Sequence, residues 1–287
     1  MSQLRDIKDR IESVKKTKKI TQAMKMVAAA KFKRASNRVS EFRPYLSVVS
    51  ELLADIVSNS PGEIRSELID GNQCQNEAVI LITGDRGLCG GFNSNIIKFC
   101  HGFLDTLHES VSLYLVGRKG GQFFKHRSWP IEGVEEGFFD GLSLDKTRDH
   151  LSSIIDSYLN GDIGKVWLVY NEFSSAISSN LVKKQILPVQ IHDELTETTD
   201  PQDYYMDEDP AEYVASLLMD YLNNQFYSAL LESEAAEQGA RMAAMDSATD
   251  NATDMIGALS LVYNRKRQAQ ITTELSEIVA GANALVQ

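Results

Sequence analysis

The chain has 287 residues, of which 43% are hydrophobic, and carries a net charge of −11. Its longest apolar runs, Met26 to Ala30 and Ala78 to Ile82, are about five residues, against the ~20 that a membrane helix needs, so nothing reads as a span. Cys74, Cys89 and Cys100 show neither metal-ligand spacing nor an even framework, and read as free thiols in a reducing compartment.

The charge is unevenly placed. Residues 1–43 hold thirteen Lys and Arg against four Asp and Glu, a balance of +9, so the rest of the chain carries −20. An acidic protein with a basic arm implies a specific anionic partner for that arm. The N-terminus lacks an apolar secretory core. It is basic and acid-poor like a transit peptide, but a regular apolar seam argues against that reading. The seam runs Leu4, Ile7, Ile11, Val14, Lys18, Thr21, Lys25, Ala28, Phe32, Ala35, Val39, Phe42, Leu46, Val49, Leu53, Ile56. It predicts one coiled-coil helix over about residues 3–57, with Ile20, Met24 and Val27 on a neighbouring stripe. Pro44 lies inside the pattern and predicts a kink near Ser40, because proline removes one backbone bond and crowds the preceding turn. From Val14 to Ser40 there are nine basic residues and no acid. Such a run is either a solvated face, a nucleic-acid surface or a surface for an acidic protein. Against nucleic acid stand the seam it surrounds, the lack of aromatic interleaving beyond Phe32, and the acidity of the whole chain.

Pro61-Gly62 ends the helix. Ala78 to Thr83 is a continuous apolar run that suits a buried parallel strand. The glycine-rich Gly84 to Gly91 follows, then a helix to about Leu107. Strand, glycine loop and helix invite a nucleotide reading, but neither G-x-G-x-x-G nor G-x-x-x-x-G-K-[S/T] is present. Glycines serving a structural turn are the simpler reading. Val111–Val116 and Lys165–Phe173 read as further strands, Ile177–Val189 as an extended strand, and Lys119–His126 and Ser143–Leu159 as helices. Strands alternating with helices predict a small, doubly wound, Rossmann-like α/β domain. The five histidines never meet acids or cysteines at ligand spacing.

Asp193 to Asp209 holds eight acids and no base and reads as a linker. From Pro210 onward no proline occurs. Apolar residues recur at 3-4 spacing through Val214, Leu217, Tyr221, Leu231, Ala235, Met242, Met245, Ala252, Ile256, Leu259 and Tyr263. Asn224, Ser228, Gln238 and Thr249 are polar members of the same seam. After Tyr263 the phase slips and resumes as Arg267, Ile271, Leu275, Ile278, Ala282, Leu285, a stutter that locally unwinds a left-handed supercoil. Such a helix is on the order of 110 Å long at ~1.5 Å per residue and needs a partner helix. The N-terminal helix is that partner. Antiparallel pairing is expected to set Val14 near Tyr263–Ile278. The predicted divisions are a coiled-coil helix at 1–59, the α/β domain at 60–192, the linker at 193–209 and the second coiled-coil helix at 210–287.

Five stretches resemble one family. Ile271 to Ala284 (I-T-T-E-L-S-E-I-V-A-G-A-N-A) resembles the C-terminal signature of the gamma subunit of F-type ATP synthase. Asp85 to Gly91 resembles its D-R-G-L-C-G-G loop, and Ala240–Met245, Ala248–Asn251 and Leu261–Gln268 look like the same family. The resemblance implies a central rotor shaft with no active site and no cofactor of its own. Its implied partners are the alpha and beta subunits of the catalytic ring, the epsilon subunit and the membrane c-ring. It implies a place on the cytoplasmic face of a bacterial inner membrane. Carried over position by position, it implies contacts to the beta subunit from Lys15, Lys18, Met24, Lys25, Arg86, Cys89, Arg241, Arg267, Gln268, Thr272 and Glu274. It also implies contacts to the membrane ring or the epsilon subunit from Tyr204 and Tyr205, where Met206, Asp207 and Glu208 depart from the family pattern. A coiled-coil adaptor that never rotates would share every periodicity. What separates the two readings is the C-terminal signature and the glycine loop.

Overall fold

The computed structural model describes residues 2–59, 66–107, 110–175, 178–190 and 210–285. They fall into two compact units, one made of Met1–Ala28 with Met242–Gln287 and the other of Ala29–Arg241. Two long helices, α1 (Ser2–Asn59) and α6 (Pro210–Leu285), each contribute to both units.

The second unit is built on a five-stranded sheet of order β3-β2-β1-β4-β5, with β1 Glu77–Ile82, β2 Val111–Val116, β3 Ile131–Glu135, β4 Lys165–Phe173 and β5 Ser179–Leu187. β1 to β4 are parallel and β5 is antiparallel to β4. The apolar run of β1 is buried on both faces because alternate side chains serve different layers. Ala78, Ile80 and Ile82 join a core with α5 (Leu144–Leu159), α1 and α6. Val79 and Leu81 join another with α3 (Phe92–Leu104) and α4 (Arg118–Phe124). Ser143 caps α5 by accepting a hydrogen bond from the Lys146 amide. A single turn, α2 (Glu67–Asp70), and the short edge strand β3 have no counterpart in the sequence reading. Both are too brief to establish a period, and β3 is exposed along most of its length.

Within this unit α6 is enclosed on nearly every side from Leu222 to Gly239. Leu222, Phe226 and Leu230 are fully buried, and burial extends to Asn223, Asn224, Gln225, Ser228, Glu232, Ser233, Glu237 and Gln238. Helices that are covered all round bury polar residues only with partners. Arg43 on α1 meets Glu232 Oε1 at 3.1 Å, and the Phe173 amide donates to Glu232 Oε2 at 3.1 Å. Arg38 reaches Glu234 at 3.3 Å and donates to the Tyr227 hydroxyl at 2.9 Å. Phe42 packs edge-on against Tyr227.

In the first unit α1 and α6 pair antiparallel. Thr21 Oγ1 lies 2.8 Å from Thr249 Oγ1, and Lys25 Nζ lies 2.5 Å from Asp246 Oδ1. Every member of the α1 seam from Leu4 to Ile56, Lys18 and Lys25 included, is buried or half-buried. α1 remains helical through Pro44, in keeping with a seam that continues in phase. One expectation changes. The register set by Thr21 and Lys25 carries Val14 to the turn of Ile256, not to Tyr263–Ile278. The continuation of the α6 seam through Arg267, Ile271, Leu275 and Ile278 is exposed. Tyr204 and Tyr205 lie outside the described residues.

With Thr21 and Thr249 both replaced by Cys, oxidation is expected to form an intrachain disulfide, detected by loss of free thiol and by mass spectrometry. Cysteines placed at Val14 and Ile271 are expected to stay reduced under the same conditions. The reverse outcome would refute the register.

Candidate functional site

The glycine loop leaves the C-terminal end of β1, the central strand, where a parallel sheet opens a crevice. Its geometry is fixed from below. Thr83 Oγ1 accepts from the Gly120 amide at 2.9 Å. Asp85 accepts from the Arg118 amide at 2.9 Å and from the Gly137 amide at 3.0 Å, so its carboxylate ties three segments together. Asn93, at the start of α3, is nearly buried. Its Oδ1 accepts from the Gly84 amide at 2.8 Å, and its Nδ2 donates to Arg86 O and to Cys89 Sγ, each at 3.2 Å.

α6 braces the loop from beneath. Arg241 pairs with Glu237 one turn earlier at 2.5 Å and donates to Gly87 O at 3.4 Å. Burial raises the carboxyl pKa of Glu237, and the Arg241 charge opposes that rise. A Cβ at Gly84 would stand 2.7 Å from Glu237 Oε1, so glycine is what lets the loop sit down on this carboxylate. Cys89 packs with Phe92, Ala236 and Ala240. Its thiol pKa is raised first by burial and then by the Glu237 charge. The result is a loop whose tip points outward. Leu88 takes φ of 62°, a left-handed conformation unusual for a non-glycine residue, and is 64% exposed. The Arg86 side chain is exposed and makes no hydrogen bond or ion pair among the described residues.

This geometry sorts the candidate contacts. Arg86 is available to a partner. Cys89 is 2% exposed, and the Arg241 side chain is 12% exposed. They are held inside, where they shape the loop. On α1, Lys15 is exposed and pairs with Glu12 at 3.0 Å, whereas Lys18 and Met24 are half-buried on or beside the seam. Lys25 belongs to the helix pair through Asp246, and Arg38 belongs to it through Glu234, so neither is a free member of the basic run. Ile20, Met26 and Val27, about 60% exposed each, give α1 an outward apolar stripe among the lysines. Toward the end of α6, Arg267, Gln268, Thr272 and Glu274 are all exposed. Gln270 donates to Glu274 Oε1 at 2.8 Å and Thr272 to Gln268 O at 3.0 Å. The sequence reading missed Asn93, Asp85 and Glu237. The first two stand within or beside the glycine loop, where Asx side chains commonly tie turns. Glu237 offered a weaker signal, an acid four residues before Arg241 on one helix face.

Comparison with known proteins gives a consistent result. A profile of the family described as ATP synthase matches residues 3–285. The ATP synthase gamma chain of Chlorobaculum tepidum is 43% identical over 293 aligned residues, which cover 100% of both chains. That of Heliobacterium modesticaldum is 41% identical, covering 99% of this chain and 100% of the relative. Among solved structures, a chain from the rotor of Euglena gracilis mitochondrial ATP synthase superposes with a TM-score of 0.64 at 19% identity, covering 94% of this chain and 99% of that one. A chain from the central stalk and c-ring of the Tetrahymena thermophila mitochondrial enzyme gives 0.59 at 24% identity, covering 80% and 99%. These two show a shared fold.

Replacing Arg241 with Met is expected to lower stability by ~3 kcal/mol in urea titration, because it leaves the Glu237 carboxylate buried without a countercharge. The double variant Arg241→Met, Glu237→Gln is expected to recover much of that loss. Equal losses in single and double variants would show that the pair does not brace the loop.

Proposed function

The chain belongs to the ATP synthase gamma-chain family, and from that premise we propose that it is the central rotor shaft of a bacterial, proton-translocating F-type ATP synthase. It sits at the cytoplasmic face of the inner membrane as a peripheral subunit. Among the described residues no helix is long and apolar enough to cross a membrane. Its partners are the alpha and beta subunits of the catalytic ring, the epsilon subunit and the c-ring.

The observation that carries this reading is the bare end of α6. Leu261, Ile271, Leu275, Ile278 and Val279 are between 48% and 72% exposed on a helix that has outrun its partner. A row of large apolar side chains left in water signals a missing binding surface. An enclosing ring covers such a helix from all sides, and a non-rotating adaptor does not require it. Inside the ring the shaft works as a cam. Its faces differ: a half-paired lysine collar, an outward apolar stripe, and a rigid loop tipped by Arg86 and Leu88. Rotation brings each face in turn to three chemically equal catalytic sites. A contact shifts a site between states only by its differential free energy in those states, so asymmetry of the shaft is what makes the three sites unequal. Proton flow through the membrane ring supplies the turning, and ATP synthesis takes place in the alpha–beta ring. The contacts to the beta subunit are Lys15, Lys18 and Met24 at the collar, Arg86 on the loop, and Arg267, Gln268, Thr272 and Glu274 near the end of α6. The long-range attraction of the collar for acidic loops grows as the cavity excludes water.

Two outcomes are expected. The purified chain has no ATPase activity that tracks its concentration; such activity would sink the shaft reading. In the assembled complex, reversing Lys15, Lys16 and Lys19 to Glu is expected to lower protons pumped per ATP hydrolysed with little change in melting temperature. Lys25→Glu is expected to lower the melting temperature as well, because it sets two acids against each other at Asp246. Pumping, hydrolysis and melting are measured on one preparation. Unchanged pumping per ATP after the triple reversal would show the collar to be a solvated face.

A further inference from the structure

The sheet face opposite α5 and α6 is covered by α3 and α4 alone. Between these helices lies an open groove of about 850 Å³. Its floor is apolar, formed by Ile97, the ring of Phe123 and the bare backbone of Gly102, where an added Cβ would meet nothing within 4 Å. Its rim is cationic. Lys98, Lys119, Arg127 and His101 line it, and among the described residues no Asp or Glu does. Asp105, one turn beyond His101, is paired with that histidine at 3.2 Å. A second groove, of about 550 Å³, follows the other flank of α3 toward β5 and shares Lys98 and Gly102 with the first. It adds exposed Leu181 and Lys183, whose ammonium stands 4.4 Å from the Phe103 ring centroid, and again no carboxylate among the described residues lines it. In a chain with a net charge of −11, two adjoining apolar grooves lined by cations and, among the described residues, by no carboxylate run against composition.

The charge pattern selects the occupant. A compact anion such as phosphate wants donors that converge on one point. Here the cations are spread around hydrocarbon: Arg127 lies flat on Phe123, 3.3 Å from the ring centroid, and Lys119 donates to Gln122 at 3.3 Å. Nucleic acid would engage the cations and could stack a base on Phe123, but it offers nothing for Ile97 or for the close approach at Gly102. A helix with an apolar stripe flanked by acids satisfies both, laying its stripe between α3 and α4 and its carboxylates against the rim. We propose that this α3–α4 face is the docking site for an acidic amphipathic helix of a partner protein, with Lys98, Lys119 and Arg127 as the charged rim and Gly102 as the point of close approach. The proposal does not depend on the rotor reading, since every residue it uses belongs to the α/β layer.

The test uses the full chain and a fluorescein-labelled synthetic helix with leucines at i, i+3, i+4 and i+7 flanked by glutamates. A second peptide carries lysines in place of the glutamates. Fluorescence anisotropy is expected to show salt-sensitive binding of the acidic peptide and none of the basic one. Lys98→Glu with Lys119→Glu is expected to weaken binding at least tenfold. Gly102→Leu, which fills the floor and favours the helix, is expected to weaken it at unchanged melting temperature, and it decides the matter even if the charge-reversed variant fails to fold. No binding of the acidic peptide would overturn the proposal. So would equal affinity for Gly102→Leu, or preferential capture by phosphatidylglycerol vesicles that the acidic peptide does not displace.

Discussion

Register between α1 and α6 is the constraint on which the rest depends, and it is set by the polar residues of the seam more than by the apolar ones. An apolar seam of period 3.5 tolerates sliding by a whole heptad, because each knob finds an equivalent hole. Charges and hydroxyls in the seam do not tolerate it. In one unit Thr21 requires Thr249 and Lys25 requires Asp246. In the other, Arg38 requires Glu234 and Arg43 requires Glu232. A slip would leave half-buried ions without partners, at a cost of a few kcal/mol each where burial is deepest, as at Glu232. The apolar positions supply the bulk of the stabilisation, ~1.5–3 kcal/mol for each large side chain fully buried. The polar positions choose where along the partner that stabilisation is collected.

The same logic reaches the glycine loop. Because α6 is buried all round from Leu222 to Gly239, its carboxylates must be answered from neighbouring elements. Glu232 is answered by α1 and by the β4 backbone, and Glu237 by Arg241 on α6 itself. Arg241 then has a donor left for Gly87 O, and the loop is tied to the helix as a by-product of neutralising a buried acid. Torque in a shaft has to be delivered through a stiff contact. A loop held by Asn93, Asp85 and Arg241, with Leu88 locked at positive φ, is stiff where a free glycine loop would yield.

Much of this was legible in the sequence because the long seams are redundant. Sixteen positions of α1 predicted one face, and all sixteen are buried or half-buried, including the lysines that looked like errors in the pattern. β2 and β4 begin and end where their apolar runs do. β3 and α2 were not legible, since five and four residues carry too little period to rise above chance. Charge was read less well than hydrophobicity. A basic run names a sign and not a partner, and only coordinates separate Lys25 and Arg38, spent on Asp246 and Glu234, from Lys15, Lys16 and Lys19, which face water. The burial of Cys89 and Arg241 was not legible for a related reason. The residues beneath a functional loop occupy the same short stretches as the residues on its tip, and linear sequence does not distinguish below from above.

The exposed end of α6 shows why the pairing length matters to function. From Ile271 to Ala280 every residue of α6 is exposed, and that length is left to whatever surrounds it. A single helix of this length is marginal in water by itself. Its apolar residues therefore gain their full stabilisation only in an enclosing partner, and Gln268, Thr272 and Glu274 expose polar groups on the same turns. Stability of the tip is thus tied to assembly, whereas stability of the α/β layer, with its two closed cores, is not. A shaft needs that division. The body must remain rigid under load whatever it touches, and the tip must have its energy in contacts with the ring, because only energy placed in those contacts can differ between one catalytic site and the next.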